Sequence, residues 1–257
     1  MSIAKSYLRY RLKAKTRHGV HSPFVYDIVE KVVQAKGARN DAAIENLRKA
    51  LKKDNRLLEI NDLGAGSRNG AGSSRTVSQI ARSSATAPAQ AAFLQRLATH
   101  LKCRNILELG TNLGLTTAYL ASASHAERVL SIEGDEALAK MAIENLAKLN
   151  VSAEVRCGNF DDLLEPSLRD LKNPDLVYVD GNHRKEPTLR YFDIIAQYAR
   201  ENTLVVLGDI HWSSEMEEAW EVVRNLESVT LTVDMFYLGL VFFRKGRARE
   251  HFTLKHP

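Results

Sequence analysis

Four carboxylates and two histidines stand where short apolar runs of this chain stop. Glu108 precedes a glycine turn, Glu133 closes the run 128–132, Asp180 follows LVYV with His183 three residues on, and Asp209 follows LVVLG with His211 and Trp212 close behind. At the end of an apolar run an ionised carboxylate is costly unless it meets water or a cation, and an imidazole can accept a proton near neutral pH. These residue types therefore suit two tasks: holding a cationic or hydroxyl-bearing ligand, and deprotonating a nucleophile. The glycine turn narrows the first task. Residues 105–133, NILELGTNLGLTTAYLASASHAERVLSIE, read as strand, glycine loop, helix, strand and acid. That order holds an adenosine-containing cofactor, the acid about 20 residues beyond the loop accepting the ribose hydroxyls.

The elements that must position these residues follow from periodicity. Strand-like apolar runs at 105–109, 128–132, 153–157, 175–179 and 203–208 alternate with helical patterns near 114–123, 135–149, 160–171, 187–200 and 214–226. Such alternation predicts a parallel sheet covered on both faces. Two last runs, 229–233 and 238–243, are joined too closely for a crossover helix, so they are expected to pair antiparallel. The fold class predicted is α/β, a doubly wound, mostly parallel sheet of seven strands with the last one antiparallel. Residues 1–100 read differently, with helical patterns at 2–15, 23–34, 41–53 and 88–101 around a glycine- and serine-rich flexible loop at 61–84, interrupted by at most a short helix around 76–82. They are assigned to an N-terminal helical extension or cap, and residues 101–257 to the cofactor-binding domain.

A second glycine loop, LLEINDLGAGSRNGAG at 57–72, competes for the cofactor, but no acid occurs between Asp62 and Glu108 to meet a ribose. In the favoured loop a dinucleotide fingerprint would need glycine at Gly110, Asn112 and Leu115, and only the first fits. The segment from Glu108 to Thr116, ELGTNLGLT, instead resembles motif I of class I S-adenosylmethionine-dependent methyltransferases, nearest the catechol-type O-methyltransferase branch and an uncharacterised bacterial subgroup of it. The resemblance covers roughly residues 100–245 and implies the Rossmann-like methyltransferase fold. Its expected cofactor contacts are Glu108, Gly110, Asn112, Gly114, Thr116, Glu133, Asn159, Phe160 and Asp180. The cofactor's carboxylate suits the helix start near Gly114, with Thr116 adding a hydroxyl. Asn159 is equally a helix cap, and Phe160 equally a core residue.

The branch places a lysine general base three residues beyond its first aspartate. This chain has His183 there, so His183 and Asp180 are the expected catalytic pair, with a surface-loop histidine as the plain alternative. Metal-dependent relatives bind Mg²⁺ through two acids and an asparagine, at positions matching Asp180, Asp209 and Ile210. Isoleucine cannot coordinate, so no metal set is assigned and His211 is left as the one substitute donor. The Asp/Asn-Pro-Pro-aromatic motif of amino-methyltransferases is absent, and no cysteine at this rim supports cytosine-C5 chemistry. The expected reaction is O-methylation of a small-molecule hydroxyl.

Composition bounds the partners. Of 36 Lys and Arg against 31 acids, six (Lys5, Arg9, Arg11, Lys13, Lys15, Arg17) precede the first acid, Asp27, and account for the whole excess. With Tyr7 and Tyr10 this basic arm allows a non-catalytic or RNA-directed reading, an anionic membrane surface, or a homodimer contact. Arg68 or Arg75 in the 61–84 loop is expected to neutralise an anionic substrate group beneath a closing lid. No apolar run approaches ~18 residues and no apolar leader is evident, so a cytoplasmic location is expected. Cys103 and Cys157 lack metal-site spacing and are expected as reduced core residues.

Overall fold

The computed structural model describes residues 3–35, 41–60, 74–246 and 248–255. The N-terminal part comprises α1 (Ile3–Lys13), α2 (Pro23–Ile28) running on as a π-helical turn (Val29–Val33), α3 (Ala42–Leu51), β1 (Leu57–Glu59), β2 (Ser74–Thr76), α4 (Val77–Ser83) and α5 (Pro88–His100). Local chemistry sets these boundaries. Proline opens α2 and α5, where a missing N–H costs nothing, and Asp41 accepts the Ala43 and Ile44 N–H groups to cap α3. Thr76 and Gln79 form a reciprocal capping box at α4.

Then follow β3 (Asn105–Leu109), α6 (Leu115–Ala121), β4 (Arg128–Glu133), α7 (Glu136–Lys148), β5 (Glu154–Cys157), α8 (Phe160–Leu171), β6 (Leu176–Val179), α9 (Lys185–Tyr198), β7 (Leu204–Gly208), α10 (Ser214–Asn225), β8 (Leu231–Asp234), β9 (Leu238–Phe242) and β10 (Glu250–Thr253). The main sheet runs β10-β8-β9-β7-β6-β3-β4-β5, with β9 antiparallel to both neighbours and every other pairing parallel. The expected seven strands are corrected to eight, because β10 adds itself parallel to the edge strand β8.

Side chains alternate across this sheet with period two. Ile106, Leu176, Tyr178, Leu204 and Val206 pack on one face against Val25, Ile28, Val32, Phe93 and Leu97 of α2, its π turn and α5. Leu107, Leu109, Val177, Val179, Val205 and Leu207 pack on the other against α8, α9 and α10. Residues on both sides of position 100 thus share one core. The rival segment at residue 57 forms only a two-stranded antiparallel ribbon, β1 with β2, and 61–73 lie outside the described residues. Cys103 is buried as expected, whereas Cys157, on the edge strand β5, is exposed rather than core. Strand order reverses between β3 and β6, opening a crevice beyond their carboxyl ends where α/β sheets bind ligands.

Candidate active site

A cavity of about 750 Å³ occupies that crevice. Close backbone approach shapes its floor. Gly110 has φ +101°, and a Cβ there would sit 2.3 Å from the Asp180 carbonyl oxygen, so the end of β3 can meet the end of β6 only as glycine. Three non-glycine residues on the cavity wall, Asn112, Asn182 and Asp209, also hold left-handed φ of +51°, +52° and +53°. Their side chains are polar and short, the types that tolerate this region best.

On the β4 side, Glu133 is 9% exposed, and its two oxygens accept the N–H groups of Asn112 (2.7 Å) and Asp135 (3.1 Å). Burial pushes its pKa up, and those N–H groups pull it partly back. The Gly134 N–H also reaches this carboxylate, which lines the cavity. Gly134, Asp135 and Leu138 continue this wall. Asn159 and Phe160 form the next one, Asn159 also capping α8 through the Asp161 N–H and Phe160 standing edge-on to Tyr191 with centroids 5.7 Å apart. Asn159 is thus a helix cap, as one of its two readings had it, and it also lies on the cavity wall. The side-chain oxygens of Asn112 and Asn182 are buried acceptors without a partner among the described residues.

At the centre, Asp180 Oδ1 lies 3.9 Å from His183 Nε2, both about a quarter exposed. Asp180 Oδ2 accepts the Thr86 hydroxyl at 3.2 Å, and that hydroxyl accepts a bond from Thr116 at 2.9 Å. Tyr178, wholly buried, also bonds to Asp180, and burial first, then that carboxylate, drives its pKa far up. Thr86 is the residue sequence reasoning missed. It sits in SATAP, a loop before a proline-started helix, and only the docking of α5 beside the sheet brings it here. Trp212 and Tyr237 complete the wall beside Asp209.

Two expected contacts do not line the cavity. Gly114 turns the chain into α6 at φ +76°, with Ala142 of α7 3.2 Å from where a Cβ would lie. Glu108 is wholly buried under the floor, where Thr117 (2.5 Å) and Ser131 (2.7 Å) donate to one oxygen and the other has no partner among the described residues. Burial, reinforced by Asp180 and Glu133, pushes its pKa up to about 8, so it is a neutral acid at neutral pH. His211 also leaves the rim. It bonds Glu217 (3.2 Å) and Asp234 (3.0 Å) and stacks on Phe236. Burial opposes its charge, but the two carboxylates outweigh burial and hold its pKa above the ordinary value.

The magnesium set of the resembled branch does not fit, since Ile210 is wholly buried and has no donor atom. Asp180, His183 and Asp209 do bring one ligand atom each within 4.8 Å of one another. Arg75 reaches the cavity with its guanidinium on Ser83 and Ser84, while Arg68 lies outside the described residues.

Comparison with known proteins agrees with this geometry. Residues 107–210 match the family model described as a methyltransferase domain. A catechol O-methyltransferase of Niastella koreensis is 32% identical over 127 residues, 48% of this chain and 57% of that one, so the chain spans little more than half the length of this curated relative. An O-methyltransferase of Bacillus cereus, solved with S-adenosylhomocysteine, superposes with a TM-score of 0.56 at 21% identity, covering 85% of this chain and 97% of its own. TomG of Streptomyces achromogenes, solved with S-adenosylmethionine, gives 0.58 at 20%, covering 86% and 95%.

Proposed function

We propose, from a chain that has the class I methyltransferase fold and carries a methyltransferase domain at residues 107–210, that it transfers a methyl group from S-adenosylmethionine to a hydroxyl of a small molecule. One observation carries the reading: Glu133, Phe160, Asp180 and His183, from the ends of three different strands, line one cavity. The residues present fit the cofactor, whose ribose hydroxyls and ammonium are donors and whose sulfonium is a cation. Glu133 would accept the ribose hydroxyls, and the unpartnered oxygens of Asn112 and Asn182 offer further acceptors. Phe160 would flank the adenine, and Asp180 stands where positive charge needs a counterion. S-adenosylmethionine, when bound, supplies an electrophilic methyl group on sulfur.

The chain's own work is positioning and proton transfer. His183 takes the proton of the acceptor hydroxyl and so leaves its oxygen as the nucleophile for the methyl group that S-adenosylmethionine would supply. Asp180, 3.9 Å away, compensates the imidazolium that results. Trp212 and Tyr237 form an aromatic wall suited to a planar acceptor. No step is derived through a metal.

The test pairs calorimetric binding of S-adenosylhomocysteine with turnover on a panel of phenols and catechols. His183→Ala is expected to lower kcat by about 10²-fold or more and to leave product binding unchanged. Binding without methylation of any hydroxyl, or a His183→Ala enzyme with the parental kcat, overturns the reading.

A further inference from the structure

The first helix presents its leucines to solvent. On α1, Ser6 and Tyr10 are buried, and Tyr7 and Tyr10 both lean on the Phe236 ring at 4.9 and 5.2 Å. Tyr10 also donates to the Leu254 carbonyl, and Ser6 to Glu217, so this face is committed to the protein. Half a turn away stand Leu8, 62% exposed, and Leu12, 81% exposed, four residues apart on one ridge. At 100° per residue, Arg11 flanks that ridge on one side and Lys5 and Arg9 on the other, with Lys13 beyond. All four bases are exposed. Arg9 lies near enough to Glu217 to help lower its pKa, and Lys5, Arg11 and Lys13 make no ion pair among the described residues.

We infer that α1 is an interfacial helix that docks the protein on an anionic lipid surface, Leu8 and Leu12 entering the acyl boundary and the flanking bases meeting headgroups. A ridge of aliphatic side chains between rows of bases is what such a surface requires. A nucleic acid would reward the bases but has no use for protruding leucines, and of the two tyrosines Tyr10 is buried and the half-exposed Tyr7 already meets Phe236 edge-on. Placement adds a consequence. Phe236 also meets Tyr237 edge-on at 4.9 Å, and Tyr237 lines the cavity, so the docking helix is joined to the cavity wall through one aromatic contact on its inner face.

Co-sedimentation of the full chain tests this without reference to methyl transfer. The probes are vesicles of phosphatidylcholine alone and vesicles with about one third phosphatidylglycerol. Partitioning is expected to be at least about tenfold stronger on the anionic vesicles, since each base near such a leaflet contributes about fivefold, and to weaken in high salt. Leu8→Ser with Leu12→Ser should abolish it, as should Lys5→Gln with Arg11→Gln and Lys13→Gln. Both variants should melt at the parental temperature, because these side chains face solvent. Three results overturn the inference: equal partitioning on both vesicles, leucine variants that sediment like the parent, or a parental dimer that the leucine changes split while no lipid binding occurs. Tight oligouridylate binding that ignores the leucines, with no vesicle binding, assigns the arm to RNA and overturns it as well.

Discussion

Replacing Glu108 by glutamine should make the protein more stable in mild alkali and flatten its stability against pH. Its carboxyl titrates near its ordinary 4.5 in the unfolded chain but holds its proton to about 8 when folded. Between those values unfolding releases a proton. The stabilisation is therefore complete below pH 4.5 and is lost as pH rises through the window to about 8, at up to ~1.4 kcal/mol per pH unit. Across the whole gap this amounts to about 5 kcal/mol, and from pH 6 to pH 8 to roughly 2 kcal/mol. Glutamine keeps the shape and can bond Thr117 and Ser131 through rotated hydroxyls, while Glu133, the other buried acid with a raised pKa beside the cavity, contributes equally to both proteins. The assay is urea unfolding of parent and Glu108→Gln at pH 6 and pH 8, compared as midpoints at constant m-value. The variant's advantage should grow by roughly 2 kcal/mol between the two pH values, and its affinity for S-adenosylhomocysteine should equal the parent's. Parallel pH dependences would refute the neutral buried acid, and a lost affinity would return Glu108 to the cofactor site.

Glu133→Ala should weaken S-adenosylhomocysteine binding at least about tenfold by calorimetry, the loss of two hydrogen bonds to a charged acceptor. Thr86→Val removes the hydroxyl between Asp180 and Thr116, so kcat should fall about tenfold with product affinity changed little, and Thr86→Ser should restore it. Turnover should survive prolonged EDTA, because Ile210 leaves the magnesium set without its third donor. Loss of activity on chelation, rescued by one divalent ion, would assign the Asp180, His183 and Asp209 cluster to metal instead.

The inner strands β3, β6, β7 and β9 were legible because they are buried and read as near-continuous apolar runs. The expected 105–109 strand and 160–171 helix carry the observed bounds of β3 and α8. β10 left no such trace. Its four residues, EHFT, are only half-buried and stand beside a basic stretch, and the partner strand β8 supplies the hydrogen bonds that order them. The N-terminal helices were legible as helices but not as one layer of the core, since a helical period says which face is apolar and not what that face meets.

Within the site, some of the expected residues reach the cavity wall through strand order alone. Glu133, Phe160 and Asp180 stand at or just past strand ends, so a parallel sheet delivers them to one crevice whatever the loops do. Where a turn intervenes, one residue of backbone decides the outcome. Asp209 at φ +53° faces the cavity, while His211, two residues on, is carried round to Asp234 and Glu217 on the far side of the same turn. Asn112 and Asn182 take the same left-handed turn, and such conformations cost about 1 kcal/mol or more each in most residues. Their gathering on one cavity wall is therefore information of its own. Lys102, Asn150, Lys172 and Phe236 hold left-handed φ elsewhere in the fold, so what the cavity adds is that its three are all short polar residues brought to one shared space.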